Sequence, residues 1–362
     1  MASRNLHREA FDEHTQEKLA IYKDYLEVFL RVFMNTTRVA RIQIFDFFAG
    51  PGSDPEGNPG SPLITLSSVR KIRHETPSCQ AVFRLYFNEI DPNKYEQLKA
   101  RLAEEIPDNS LSIQTDCLDF PEAFNSQFPT MDRSANLVFL DQNGCKQVSK
   151  EVFGKLAGLQ MTDTIFFVAS SMANRFRELK EIRQHLPLID SDFEHMNGAN
   201  VHRIITAAYK RWIPKGRQYY MGSFSFRKRS NVYGLVFGSS HPCGLDKFLT
   251  VAWNHGGDAD FDIDDDHLVP DELCLFEEFN KPKKVALFQK ALSEKILAGE
   301  IRTYEDIYLF SLEFGCLARH SQEGLKKMVS DGTLQRQKFA VSYAAWTKQE
   351  KRPILFPEAD SR

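Results

Sequence analysis

Long apolar runs are missing from this sequence: nowhere do the roughly 18 consecutive apolar residues needed to cross a bilayer occur. The opening residues, Met1 to Asp12, carry charges but no apolar core, so no secretory signal is expected. Paired cysteines are missing as well. Cys79, Cys117, Cys145, Cys243, Cys274 and Cys316 lie far apart with no C-x-x-C spacing. That pattern suits neither a zinc site nor a disulfide framework, and reduced thiols in a cytoplasmic protein are the simplest expectation. A strong net charge is absent too, at −3 over 362 residues, although the charge is uneven along the chain. There is no internal repeat, and the only biased tract is a short Asp-rich stretch. What remains has 42% hydrophobic and 26% charged residues, an ordinary globular composition.

The length exceeds the roughly 250–300 residues at which single cores stop growing, so one large and one smaller domain are expected. Residues 1–40 predict a helical segment, with Leu19, Tyr22, Leu26, Phe29, Leu30 and Phe33 at helical spacing between about Phe11 and Asn35. From residue 41 to 254, strand and helix patterns alternate. Strands are expected at Ile42–Phe47, Val82–Phe87, Leu111–Gln114, Asn136–Leu140, Thr164–Ala169 and Tyr233–Phe237. Helices are expected from Ser61-Pro62 (N-cap and first position) through Val69, and at Asn93–Glu105, Phe120–Phe128, Lys146–Leu159 and Gly244–Trp253. This alternation implies a mostly parallel sheet covered on both faces. Residues 255–280 form an acidic linker. Residues 281–345 hold three helices, Val285–Leu297, Tyr304–Glu313 and Arg319–Ser330, then a strand pattern at Phe339–Tyr343, which resembles a winged helix.

The segment Asp46-Phe47-Phe48-Ala49-Gly50-Pro51-Gly52 carries the strongest chemical signal. Glycines two apart after a strand let the backbone approach a ligand where a Cβ would clash. Dinucleotide-binding loops have a third glycine and set a pyrophosphate on the next helix. Here that glycine is missing and an acid precedes the loop. Both departures suit a cofactor with a cationic amino-acid tail and no phosphates, S-adenosylmethionine above all. Asp46, Phe48, Gly50 and Gly52 are the candidate contacts, with Asp46 near the amino group. Glu89, ending the second strand, is the candidate acceptor for the ribose hydroxyls, with Asp91 as the alternative. Asp116, ending the third, is the candidate for the adenine amine. Taken singly, each acid is equally well a solvated strand end, and the turn fits other α/β folds. Three successive strand ends share the edge where open α/β sheets bind ligands.

Asp141 follows the fourth strand, as a candidate catalytic base or substrate contact, or else as a cap for the next helix. Amino-methyltransferases carry Asp/Asn-Pro-Pro-aromatic at this place. The present residues are Asp141-Gln142-Asn143-Gly144, without the prolines or the stacking ring, so methylation of a base amine is not supported locally.

On these residues the chain resembles the bacterial three-Cys-motif partner proteins. The resemblance rests on Glu13-His14-Thr15 with Lys18, on Phe45 to Gly52, on Gly60-Ser61-Pro62-Leu63 and on Phe139 to Gly144, where the family usually has proline in place of Gln142. It extends more loosely through Asn174-Arg175, Tyr233 to Phe237, His241 to Trp253 and the C-terminal helices. It implies a class I methyltransferase-type Rossmann fold with a C-terminal winged-helix-like module, and a three-Cys-motif protein as partner.

Between Tyr209 and Arg229 stand Lys210, Arg211, Lys215, Arg217, Arg227, Lys228 and Arg229 with no acid, interleaved with Tyr209, Trp212, Tyr219, Tyr220, Phe224 and Phe226. Cations for phosphates and rings for bases make this a candidate nucleic-acid surface, against a solvated strand pair with its rings in the core. Asp258, Asp260, Asp262 and Asp264 have calcium-loop spacing, but Ile263 and Val269 occupy the glycine and glutamate positions, so no metal is expected. The helix Arg319–Ser330 has the place of a recognition helix, with Arg319, His320, Gln322, Lys326 and Lys327.

Three functions fit. The first is an S-adenosylmethionine-dependent methyltransferase acting on nucleic acid. The second is an inactive methyltransferase-fold recognition or sensor subunit of a bacterial antiviral-defence complex. The third is another nucleic-acid-acting enzyme on the same fold.

Overall fold

Seven strands form one sheet in the computed structural model, which describes residues 10–11, 13–36, 39–105, 111–142, 147–168, 188–194, 201–228, 231–255, 283–348 and 352–357. The strands are β1 (Arg41–Asp46), β2 (Val82–Asn88), β3 (Leu111–Asp116), β4 (Ala135–Leu140), β5 (Thr162–Val168), β6 (Tyr220–Lys228) and β7 (Asn231–Ser239). Their order is β3-β2-β1-β4-β5-β7-β6. The first five are parallel, and β7 runs antiparallel to both β5 and β6. This is a Rossmann-like sheet of class I methyltransferase type, and the strand expected at Tyr233–Phe237 is the antiparallel β7. No helix among the described residues is long and apolar enough to cross a membrane.

Strand alternation divides the core. Ile42, Ile44, Leu85, Phe87, Leu137, Phe139 and Ile165 face a layer built by α1 (Glu13–Met34), α2 (Ser61–Glu75), α3 (Pro92–Glu105) and α8 (Pro242–His255). Phe45, Tyr86, Val138, Leu140 and Phe166 face α4 (Phe120–Gln127), α5 (Lys150–Gly158) and α7 (Val201–Lys210), with the short α6 (Asp190–Glu194) alongside through Phe193. The second face is not wholly apolar. Gln43 Nε2 donates to Asn136 Oδ1 (3.1 Å) and to Thr130 O (2.7 Å), and Asn136 Nδ2 donates to Thr162 Oγ1 (2.9 Å). Arg84 extends the row by donating to Gln114 Oε1 at 2.6 Å and Gln127 Oε1 at 2.8 Å. Buried amides are tolerated here because each is hydrogen-bonded.

Helix α1 runs antiparallel to β4. Its Tyr22 ring lies 4.2 Å from the Phe139 ring, and one turn later Tyr25 donates to Asp163 Oδ2, at the start of β5, at 2.6 Å. Helix α2 corrects a detail: Gly60 is its N-cap and Ser61 its first residue, since the Ser61 hydroxyl is committed elsewhere. Helix α5 begins at Lys150 behind a Ser149 cap, so Asp141 caps no helix.

The C-terminal helices α9 (Lys283–Leu297), α10 (Tyr304–Phe314) and α11 (Ala318–Ser330) share the core of the first face. Trp253 of α8 is their anchor. Its Nε1 donates to Gly315 O at 3.0 Å, and its ring meets His320 edge-on at 4.6 Å. Residues Phe339 to Tyr343 do not form the expected strand. Ser342 instead caps the short helix α12 (Tyr343–Thr347) by accepting from Ala345 N. The chain then returns beside the helices: Ile354 N donates to Arg302 O (2.9 Å), Tyr304 N to Arg352 O (3.1 Å) and Gln335 N to Leu355 O (3.0 Å). On α11, His320 is buried against Trp253 and Gln322 donates to Val341 O, so neither is free to contact DNA as expected. Arg319, Lys326 and Lys327 are exposed, in company with Glu323. The expected acidic linker lies outside the described residues from position 256 on.

Truncating Trp253 removes a buried ring and orphans a carbonyl. Trp253→Ala is expected to lower unfolding free energy by about 3–5 kcal/mol. Hydrogen exchange is expected to quicken more in α9 to α11 than in β1 to β5. Equal loss of protection in both regions would contradict the anchoring role.

Candidate cofactor site

The carboxyl ends of β1 to β4 bring the predicted acids to one edge. Asp46 ends β1 and is fully buried. Its Oδ2 accepts from Ser61 Oγ at 2.6 Å and its Oδ1 from Phe48 N at 3.1 Å. Burial pushes its carboxyl up to about 7, against those two hydrogen bonds, and the nearby charges of Asp141 and Glu89 push the same way. Gly50 and Gly52 have φ of +64° and +87°, the left-handed region that a side chain resists. Gly60 N donates to Gly52 O at 2.8 Å, and a Cβ on Gly60 would stand 2.9 Å from that oxygen. The loop therefore closes tightly on itself.

Glu89 binds the loop directly. One of its carboxylate oxygens accepts from Gly50 N and the other from Asp91 N, both at 2.9 Å. Asp91, the alternative ribose acceptor, takes Asn93 N at 2.9 Å and so caps α3. Asp116 lies beside Asn88 in the β2–β3 register and accepts from Gln114 Nε2 at 3.1 Å. Phe48 is half-buried, its ring stacked 5.3 Å from Phe120. Asp141 pairs with Lys18 Nζ, which also lies 4.7 Å from the centre of the Phe167 ring.

Four contributors escaped the sequence reading. Asn88 ties three loops together: its Nδ2 donates to Phe47 O and Leu118 O, and its Oδ1 accepts from Leu118 N. Asp54 accepts from Phe11 N, Glu56 N, Asn58 N and Asn58 Nδ2, pinning both the glycine loop and the start of the chain. Ile90 stands 63% exposed next to Glu89, an apolar side chain on the same rim. Gln142 is buried, donating to Phe167 O and accepting from Gln147 N, so it turns away from the edge. An apolar residue between two acids, Glu89-Ile90-Asp91, was the one available signal. The other contacts join residues distant in sequence.

The basic stretch divides. Strand β6 runs in the same direction as β5, because both are antiparallel to β7. Arg227 and Lys228, at its end, therefore lie on the edge that carries Asp46 and Asp141. Lys210, Arg211, Lys215 and Arg217 precede its start, on the opposite edge, about 26 Å away along an eight-step strand. Arg211 pairs with Asp192, whereas Lys215 and Arg217 are exposed. Tyr209, Tyr219 and Phe224 are core residues and offer no faces for stacking on bases. Arg229 lies outside the described residues.

No protein-family model matches the chain, and no curated protein does. Solved structures similar to it include Trm1 from Pyrococcus horikoshii with S-adenosyl-L-methionine, at 13% identity, 66% of this chain, 59% of Trm1 and a TM-score of 0.38. TYW2 from P. horikoshii in complex with MeSAdo has 11% identity, 65% of either chain and a TM-score of 0.30. A SAM-dependent methyltransferase from Agrobacterium tumefaciens has 8% identity, 62% of either chain and a TM-score of 0.34. At such scores these similarities add nothing to what the strand order already says.

Asp46 makes a pH-dependent prediction. A carboxyl whose folded value is raised is neutral in both states below about 4, so it costs nothing there; its cost grows as pH rises and is complete above about 7. Asp46→Asn is therefore expected to raise stability at pH 8 by up to about 4 kcal/mol, from a shift of about three units. At pH 4 the gain should shrink toward zero in urea titrations. An equal gain at both pH values would show that the carboxyl is not held at that value.

Proposed function

We propose that this edge binds S-adenosylmethionine and that the protein is a methyltransferase-type protein acting on nucleic acid. The observation that carries the reading is the glycine turn at Gly50 and Gly52, closed by Glu89 and backed by buried Asp46. The residues suit the ligand. A phosphate-free cofactor with a cationic tail is favoured beside Asp46 and Asp141, where a pyrophosphate would be repelled. Glu89 has lone pairs left for ribose hydroxyls after its two backbone contacts. Ile90 offers apolar surface for the adenine, and Asp116 an acceptor for its exocyclic amine.

The bound cofactor would supply a methyl group on a sulfonium, and the protein's work is alignment of a nucleophile with that group. Asp141, paired with Lys18, would face the incoming substrate. Arg227 and Lys228, at the same edge, would contact a polynucleotide near the reacting centre. Lys210, Arg211, Lys215 and Arg217 would serve only a longer molecule wrapping to the other edge. The three C-terminal helices, with the returning segment paired between residues 302 and 335, fit a winged helix whose exposed Arg319, Lys326 and Lys327 would add a further contact.

One observation favours a second reading. Gln142 is used up in holding the loop after β4, so its own side chain does not grip a target base. A recognition subunit that holds cofactor without transferring methyl groups, working beside a three-Cys-motif partner, fits that arrangement.

Isothermal titration with S-adenosylmethionine and S-adenosylhomocysteine tests the cofactor. Binding is expected, with Ile90→Asp weakening it about tenfold or more, roughly 1.4 kcal/mol. Because Ile90 is exposed, the variant should fold normally. Failure of the wild-type protein to bind either ligand would remove the reading. Transfer of a labelled methyl group to copurified nucleic acid would then separate the enzyme from the recognition subunit.

A further inference from the structure

Among the described residues around the glycine loop, Lys18 is a cation beside a group of acids, Asp46, Glu89, Asp116 and Asp141. Its place is set by the geometry of two elements in step. On α1, Tyr22 and Lys18 are four residues apart, about 6 Å along the axis, and on β4, Phe139 and Asp141 are two apart, about 6.6 Å. Tyr22 is fixed by its stacking on Phe139 and by the 2.7 Å hydrogen bond between its hydroxyl and Thr65 Oγ1. One turn earlier, Lys18 is therefore delivered onto Asp141, with Phe167 beneath its ammonium group. Only 18% of the lysine side chain is exposed, so little of it is given to solvent.

The amino-acid end of the proposed cofactor is a zwitterion, an ammonium and a carboxylate on one carbon. The acids answer the ammonium and nothing among them answers the carboxylate. An ammonium group has three donors, and the oxygen of Asp141 engages one. We propose that Lys18 is the anchor for the carboxylate of the bound cofactor's methionyl group, with Asp141 holding the lysine in position between the two strand ends. The same contact couples cofactor to α1, the helix that spans the sheet from this edge to Asp163 at the other. This inference rests on the cofactor reading above.

Decarboxylated S-adenosylmethionine, which lacks only that carboxylate, gives a test by calorimetry independent of methyl transfer. Wild-type protein is expected to bind S-adenosylmethionine at least tenfold more tightly than the decarboxylated form. Lys18→Met should abolish that preference by weakening the full cofactor alone, and Lys18→Arg should keep part of it. Circular dichroism and thermal melting would confirm that the variants are folded. If Lys18→Met weakens both ligands equally, or neither, Lys18 is only a strut between α1 and β4 and the inference is overturned. If wild-type protein binds neither ligand, the cofactor reading itself fails, a result distinct from the other two.

Discussion

A carboxyl group fully buried at the end of β1 governs the shape of everything around it. Asp46 must find its hydrogen bonds inside the protein, because an unpaired buried charge is far costlier than a paired one. One bond comes from Phe48 N, which sets the direction of the chain as it leaves the strand. The other comes from Ser61, which draws the start of α2 down onto the strand end. With that serine engaged, the cap falls to Gly60, and only a glycine can lie so close to Gly52 O. The turn that results points Gly50 N at Glu89, so a second strand end is tied to the first. Even so, burial leaves the Asp46 carboxyl raised to about 7. Such residual strain is common where a fold is shaped for a ligand rather than for stability alone.

Much of this was legible because it is local. The alternation of strands and helices, the glycine turn and the acids after β1, β2, β3 and β4 all follow from residues near one another in sequence. What escaped depends on distant partners. Ser61 looks like an N-cap until Asp46, fifteen residues earlier, claims it. Asp141 looks like a cap until Lys18, 123 residues away, pairs with it. Gln43, Arg84 and Asn136 sit in strands that read as apolar, and their burial makes sense only once the register sets them side by side. The aromatic residues among the lysines and arginines suggested stacking platforms. Strand alternation turns Phe224 into the core on one face of the sheet, and Tyr209 and Tyr219 are buried on the other.

The C-terminal helices illustrate how a module can be joined without a separate core. Leu292, Ile296, Ile307 and Leu325 are continuous with the apolar layer that α1 and α8 build on the sheet. His320, on a helix that resembles a reading head in sequence, is spent on this junction. It accepts from Leu317 N and packs against Trp253, and burial holds its ring down to about 4, with Arg319 and Lys284 acting the same way. A neutral ring at that position keeps a second cation out of a junction that already holds Lys284 near the Trp253 ring. The recognition function, where there is one, is left to the outward face of α11 alone.

Asp141 and Gln142 bear on the kind of chemistry the edge can support. Proline, usual in the resembling family after the acid, has no side-chain donor or acceptor. Gln142 has both and uses them to fasten the loop back to β5, which leaves Asp141 beside Lys18 at the strand end. That carboxylate is already engaged by Lys18. A nucleophile with a free lone pair at neutral pH, such as a ring nitrogen, needs only to be held in line with the methyl group. With or without transfer, Lys18 and Asp141 would stand together at the proposed cofactor edge.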